Sequence, residues 1–117
     1  MEITLDLPEE LAARLQPHKA QLPYILDLGL SAVESSSRSF YDELDEVLER
    51  LADSPRPEEV LSLRPSPKLQ SRLSYLLEKN RTEGLSEVEE REWERYEAVE
   101  HKVRLAKANA VLKLKAA

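Results

Sequence analysis

Histidines and carboxylates are the side chains of this sequence that could form a metal site. The chain has two histidines, His18 and His101, which lie far apart and among charged residues. A metal site needs ligands that converge, and neither histidine has an HxxxH or HxxE pattern directed inward. Glu97 stands one helical turn before His101, which is the spacing of an ordinary surface pair. We therefore expect two solvated histidines and no metal site.

Catalytic groups are not singled out by the sequence either. The chain has 23 Asp and Glu residues, but nothing selects one acid pair, and we expect these carboxylates on helix exteriors. Cysteine is absent, which excludes disulfides and thiol catalysis. The two glycines, Gly29 and Gly84, fall in a helix-like segment and at a helix stop, so no phosphate-binding loop is predicted. We expect a protein that is not an enzyme and needs no cofactor.

Aromatic and basic residues near the C-terminus are candidates for binding. Trp93 and Tyr96 lie one helical turn apart, where they could close a core or anchor a partner. The net charge is −6, yet no acid follows Glu100. Five basic residues do follow it: Lys102, Arg104, Lys107, Lys113 and Lys115. This tail could bind nucleic acid, contact a partner protein or a second copy, or pack on the chain's own acidic helices.

Composition predicts that helices position these residues. Leucine occurs 21 times, against 11 Val, Ile and Thr residues in total. Because β-branched residues lose rotamer freedom in helices, this ratio favours helix over sheet. We expect a mainly α fold with a short N-terminal β-strand, several short helices and a C-terminal αα-hairpin with a long last helix. No apolar run approaches the roughly 20 residues of a membrane span, and Glu2 and Asp6 interrupt the start of any signal peptide, so we expect a cytoplasmic protein.

The N-terminal half is predicted to be a strand followed by helices. Residues 2–7 alternate between apolar and polar side chains, which is typical of a half-buried strand. Helices are expected from Pro8 to about residue 16, from about 22 to 34 and from 40 to 52, with a polar joint at 35–39. The proline-rich stretch 55–67, which opens a short helix at Pro57, is predicted to be a stiff connector and a boundary.

The C-terminal third is predicted to be a helical hairpin with unequal arms. Ser66 caps a helix to about Arg81, Gly84 stops it, and Ser86 with Glu89 forms a capping box for a last helix to Lys115. Residues 67–81 would span about 22 Å and residues 87–115 about 43 Å. The short arm would cover only half of the long arm. We therefore divide the chain into a strand–helix–helix region (1–34), a helix and connector (35–65) and the hairpin (66–117).

Two stretches together resemble small bacterial antitoxins. ITLDLPEELAARL followed by LPYILDLGL resembles the ribbon-helix-helix-like start of such proteins. LQSRLSYLLEKNRTEGLSEVEEREWERYEAVEHKVRLAKANAVLKLK resembles the C-terminal part of uncharacterised bacterial proteins that look like partners of small HNH-type nucleases. The resemblance implies a protein that dimerises, binds a toxic partner and binds operator DNA. Glu2 and Asp6 would face that DNA, and their negative charge disfavours DNA binding.

Two sets of contact residues follow. Dimerisation is assigned to Ile3, Leu5, Leu7, Ile25 and Leu26. Partner binding is assigned to Glu87, Glu90, Glu94, Trp93, Tyr96, Lys102, Val103, Arg104 and Lys107, with the three glutamates expected to pair with Arg91 and Arg95. The sequence leaves open an antitoxin that covers a nuclease-like toxin with its acidic face, a stand-alone oligomeric helical protein, and a DNA-binding autorepressor.

Overall fold

Five α-helices build this protein in the computed structural model, which describes residues 1–116. They are α1 (Glu9–Leu15), α2 (Leu22–Ala52), α3 (Pro57–Leu61), α4 (Pro67–Thr82) and α5 (Glu87–Ala116), and a short 3₁₀ helix, Gln16–Gln21, joins the first two. The prediction of a mainly α fold is therefore confirmed. Over the same residues, no helix combines the length and the apolarity that crossing a bilayer requires.

The predicted strand at residues 2–7 does not form. Nothing between residues 1 and 116 is in a β-strand, and Ile3 and Leu5 are 71% and 55% exposed. The prediction was wrong for a single chain because an isolated strand leaves its backbone groups without hydrogen-bond partners. Residues 2–7 do alternate between apolar and polar side chains, but they could form a strand only if a second strand paired with their backbone.

Helix α2 is longer than predicted. The polar joint expected at residues 35–39 is helical, so the two helices predicted on either side of it are one. Serine costs only a few tenths of a kcal/mol relative to good helix formers, and neither glycine nor proline interrupts this stretch. The Ser37 hydroxyl donates a hydrogen bond to the Glu92 carboxylate of α5 (3.2 Å), and this bond links α2 to α5.

Residues 36–116 form a compact unit around a single apolar core. Its buried members come from α2, α4 and α5: Phe40, Leu44, Leu69, Leu73, Leu76 and Val99. These residues recur every three or four positions along their helices, so each helix turns one apolar face inward. The core holds α5 against α2 and α4 and thereby fixes which face of α5 is open to solvent.

The ends of α4 and α5 match the predicted capping signals. Ser66 Oγ accepts a hydrogen bond from the backbone N–H of Leu69 (3.1 Å) at the start of α4. Gly84, with φ of 85°, supplies the left-handed residue just after α4. Ser86 and Glu89 make the reciprocal capping box of α5, with 2.9 Å from the Ser86 N–H to the Glu89 carboxylate.

The proline-rich stretch is part of the packed unit and does not separate two regions. Helix α3 packs against α5, where Val60 and Ala110 are both buried. Lys107 of α5 also donates a hydrogen bond from Nζ to the Leu63 carbonyl oxygen (2.8 Å). The connector therefore covers one face of the second half of α5, which the sequence analysis left uncovered.

Residues 1–35 form a second unit, which contains α1, the 3₁₀ helix and the first part of α2. None of its side chains is buried. Its exposed large apolar residues include Leu7, Leu11, Tyr24, Leu26, Leu28, Leu30 and Val33. This unit has apolar side chains but no core of its own.

Candidate protein-binding surface on α5

Helix α5 has one face in the core and an opposite face in solvent. On the inner face Glu92, Val99 and Ala110 are buried. On the outer face Glu87, Glu90 and Glu94 are exposed. Their spacing of three and four residues brings the three carboxylates to one side of the helix. We call these three residues the acidic stripe.

The inner face carries a buried carboxylate that the sequence analysis missed. Glu92 is fully buried, and both of its oxygens accept hydrogen bonds from Arg72 of α4. The distances are 2.9 Å from Arg72 Nε to Glu92 Oε2 and 3.1 Å from Arg72 Nη2 to Glu92 Oε1. Ser37 adds the third hydrogen bond. A bidentate guanidinium and a hydroxyl satisfy this carboxylate where a lone buried charge would be very unfavourable.

A second carboxylate joins the hairpin near its turn. Glu89 is also buried, and it accepts a hydrogen bond from Lys79 Nζ of α4 (2.5 Å). Burial by itself would raise the pKa of Glu89, but the bonds from Lys79 and from Ser86 outweigh it and lower the pKa to about 2. The expectation that the acids all lie on helix exteriors is therefore wrong for Glu89 and Glu92.

The burial of Glu92 could have been recognised from the spacing of residues in the sequence. Glu92 precedes Tyr96, Val99 and Val103 at intervals of four, three and four, which places it on the inward face of α5. Arg72 lies next to Leu73 in the apolar stripe of α4. The sequence analysis placed all carboxylates on helix exteriors because they are charged, although a charge can be buried where an opposite charge pairs with it.

The glutamates of the acidic stripe form no salt bridge within residues 1–116. The sequence analysis expected its glutamates to pair with Arg91 and Arg95, but Arg95 instead binds Asp45 of α2 (2.7 Å). Among residues 1–116 no cation lies within salt-bridge distance of Glu87, Glu90 or Glu94. Arg91 is exposed on the same side without a salt bridge of its own, so this side of α5 presents three carboxylates and one guanidinium along about 10 Å of helix.

Trp93 and Tyr96 belong mainly to the core. Their ring centroids are 5.5 Å apart, and both rings pack against the buried cluster while remaining partly exposed. Burial, together with the nearby charge of Glu100, raises the pKa of Tyr96. Of the two roles that the sequence allowed, core closure and partner anchoring, both aromatic side chains have the contacts of the first, because both pack against the core.

The four residues assigned to partner binding beyond Glu100 do not share one surface. Val103 packs against the core, and Lys107 binds the connector through Leu63. Burial, with the neighbouring Arg64, lowers the pKa of Lys107. Lys102 and Arg104 point to solvent, where Arg104 pairs with Glu100. Part of the basic tail therefore packs on its own chain, although against a backbone carbonyl and not against acidic helices.

An apolar cavity of about 180 Å³ opens beside this part of α5. Leu44, Val47, Leu69, Val99 and Val103 supply most of its walls. Arg64, Glu100 and Lys107 also line it. Its charged lining is of mixed sign and its cations already bind backbone carbonyls, so it shows no preference for a ligand.

The residues assigned to dimerisation lie in the N-terminal unit. Ile3, Leu5, Leu7 and Leu26 are exposed, and Ile25 is half-buried. The unit therefore presents these apolar side chains at its surface without covering them. Such a surface is unusual for a segment that works alone in water.

In comparisons with known proteins, no family model, curated protein or solved structure matched this chain. The surfaces described above must therefore carry the functional argument. Residues 1–116 contain no group of three or more His, Cys, Asp or Glu side chains placed to hold a metal ion. The acidic stripe and the uncovered N-terminal unit are the two surfaces that need an explanation.

Proposed function

We propose that this protein is an antitoxin-type, non-catalytic binding protein that neutralises a nuclease-like partner. The acidic stripe of α5 would lie in the cationic groove with which such a partner binds nucleic acid. The single observation that carries the proposal is the row of three exposed glutamates, none of which forms a salt bridge within residues 1–116.

The charge spacing of the stripe supports this partner. Glu87, Glu90 and Glu94 place one negative charge about every 5 Å along the helix axis. One strand of duplex DNA places one charge about every 3.4 Å. A groove that is built for a phosphate backbone would therefore meet carboxylates at a spacing of the same order, about one and a half times wider, and opposite potentials favour both encounter and orientation.

Rigid presentation supports it as well. The inner face of α5 is fixed by the apolar core and by the Glu92–Arg72 pair, so the stripe does not have to fold when it binds. A helix that is already ordered loses little conformational entropy on binding. The resemblance of residues 69–115 to partners of small HNH-type nucleases implies the same class of function.

Charge reversal on the stripe tests the proposal. We expect the neighbouring open reading frame to encode a small cationic nuclease, and cleavage of plasmid DNA by that nuclease is the assay. The triple variant Glu87→Lys, Glu90→Lys, Glu94→Lys should lose inhibition at least 100-fold, because it replaces attraction with like-charge repulsion at three positions. Circular dichroism should show nearly unchanged helicity, since all three residues are exposed and a lysine in the first turn of α5 costs only about 0.3–1 kcal/mol at each of Glu87 and Glu90.

A matched control separates a local effect from one of net charge. Asp42, Glu46 and Glu49 are exposed on α2 at comparable helical spacing. Their triple lysine variant changes the net charge by the same amount and should retain inhibition. If both triple variants inhibit like the unaltered protein, or both fail equally, the stripe is not the binding surface.

A second role, self-association, is supported by the N-terminal unit. With no buried side chain, residues 1–35 gain little stability from their own packing. We propose that a second copy covers Leu26 and its neighbours and that residues 2–7 of the two copies pair as strands. The exposed Glu2 and Asp6 of such a ribbon disfavour a DNA-binding role for it.

A further inference from the structure

The outer face of α5 changes character after Glu97. Six exposed residues follow one another there at intervals of three, four, three, four and three: Ala98, His101, Leu105, Ala108, Leu112 and Lys115. This is the spacing of a coiled-coil seam, with Ala98, Leu105 and Leu112 at the first core position of each heptad. We call these six residues the heptad face.

The protein's own helices do not cover the heptad face. Val103, Ala106 and Ala110, which face α3 and the core, lie on the opposite side of α5. Leu105 and Leu112 are 55% and 64% exposed. The two leucines lie two helical turns apart on one continuous helix, so one partner helix could cover both.

We infer that the heptad face binds the same face of a second copy, in parallel and in register. Glu97 and Lys102 flank the face and are five residues apart, the separation at which ion pairs form between parallel helices. Glu97 of each copy would form an ion pair with Lys102 of the other copy. Neither residue has a salt-bridge partner within residues 1–116, so both are available.

The antiparallel arrangement lacks this complementarity. If the two heptad faces overlap fully in opposite directions, Lys102 meets Asn109 of the second copy and Arg104 meets Val111. Neither contact pairs opposite charges. In the parallel arrangement Leu105 meets Leu105 of the second copy and Leu112 meets Leu112, with two Glu97–Lys102 ion pairs alongside, and the like charges of the two Lys115 side chains mark the C-terminal end of the seam.

Pairing should end at Ala98. Glu94, Arg91 and Glu87 occupy the preceding seam positions, where two parallel copies would bring like charges together. The acidic stripe of each copy would therefore remain open to another partner. This inference does not depend on the proposed function, because pairing of the heptad faces is measured on the purified protein alone.

Cysteine cross-linking tests the inference directly, since the chain has no cysteine of its own. In Leu105→Cys the two new thiols would face each other across the seam. Leu77→Cys is the matched control, because Leu77 of α4 is exposed to 56% and Leu105 to 55%. We expect Leu105→Cys to form disulfide dimers at least about tenfold faster than Leu77→Cys at micromolar concentration. Equal rates would overturn the inference.

Charge exchange in the Leu105→Cys background tests the direction and register. Glu97→Lys or Lys102→Glu alone should slow cross-linking roughly three- to tenfold, because each makes two repulsive contacts in the symmetric pair. The double exchange restores both ion pairs in reverse and should restore the rate. If the double variant is as slow as the single ones, the parallel in-register arrangement is wrong.

Discussion

Breaking the buried pair of Glu92 and Arg72 is expected to destabilise residues 36–116 strongly, because one charge would be left buried without its partner. In Arg72→Met the Glu92 carboxylate keeps only the Ser37 hydrogen bond in a fully buried position. Removing one partner of a buried ion pair costs about 3–5 kcal/mol, and Arg72 is 32% exposed, so we expect about 3 kcal/mol.

Urea unfolding followed by the fluorescence of Trp93 measures this loss. Trp93 is the only tryptophan and packs against the core, so its signal reports this unit. With a denaturant slope of about 1.5 kcal/mol per molar urea, the midpoint should fall by about 2 M. Arg81→Met, which breaks an exposed pair with Glu78 in the same helix, should lower stability by less than about 0.5 kcal/mol.

A double variant identifies the cause of the loss. Arg72→Met combined with Glu92→Met removes both charges and fills the site with apolar side chains of similar length. Such replacements are often neutral, so most of the lost stability should return. If Arg72→Met is as stable as Arg81→Met, or if the double variant is no more stable than Arg72→Met, then Glu92 is not a buried charge that depends on Arg72.

Two further predictions concern Glu89 and the N-terminal unit. Since the folded state lowers the pKa of Glu89 from 4.5 to about 2, its contribution to stability is present above pH 4.5 and is lost as the pH falls toward 2. Urea titrations across that range should show a shallower loss for Glu89→Gln, and equal pH dependence would contradict the assignment. If a second copy covers residues 1–35, hydrogen-exchange protection there should rise with protein concentration. Leu26→Glu should abolish that rise and the equally exposed Leu77→Glu should not, whereas protection independent of concentration would refute self-association through this unit.

Local sequence signals were sufficient to define helix ends. Ser66, Gly84 and the Ser86–Glu89 pair act on backbone groups within a few residues, so their effect does not depend on the rest of the fold. The mainly helical fold followed from leucine and the scarcity of β-branched residues. The candidate stripe of Glu87, Glu90 and Glu94 also followed from helical spacing alone.

Other features were decided by contacts between distant residues. The serines at 35–37 favoured a joint, but α2 continues through them, and Ser37 binds Glu92 instead of its own backbone. The strand at residues 2–7 was predicted from an alternation that has no partner within one chain. The connector was predicted to be a spacer, yet its apolar residue Val60 is buried with α3 packed on α5.

By itself, then, the sequence determined where most helices begin and end and which residues share a helical face, because these properties depend on neighbours within one or two turns. Tertiary structure decided which inward-facing charges meet a buried counter-charge. Glu92 and Glu94 are chemically identical and two positions apart, but Glu92 lies on the inward face of α5, where Arg72 of a neighbouring helix supplies the counter-charge that its burial requires. Glu94 lies on the opposite side of α5, where it is exposed and forms no salt bridge within residues 1–116.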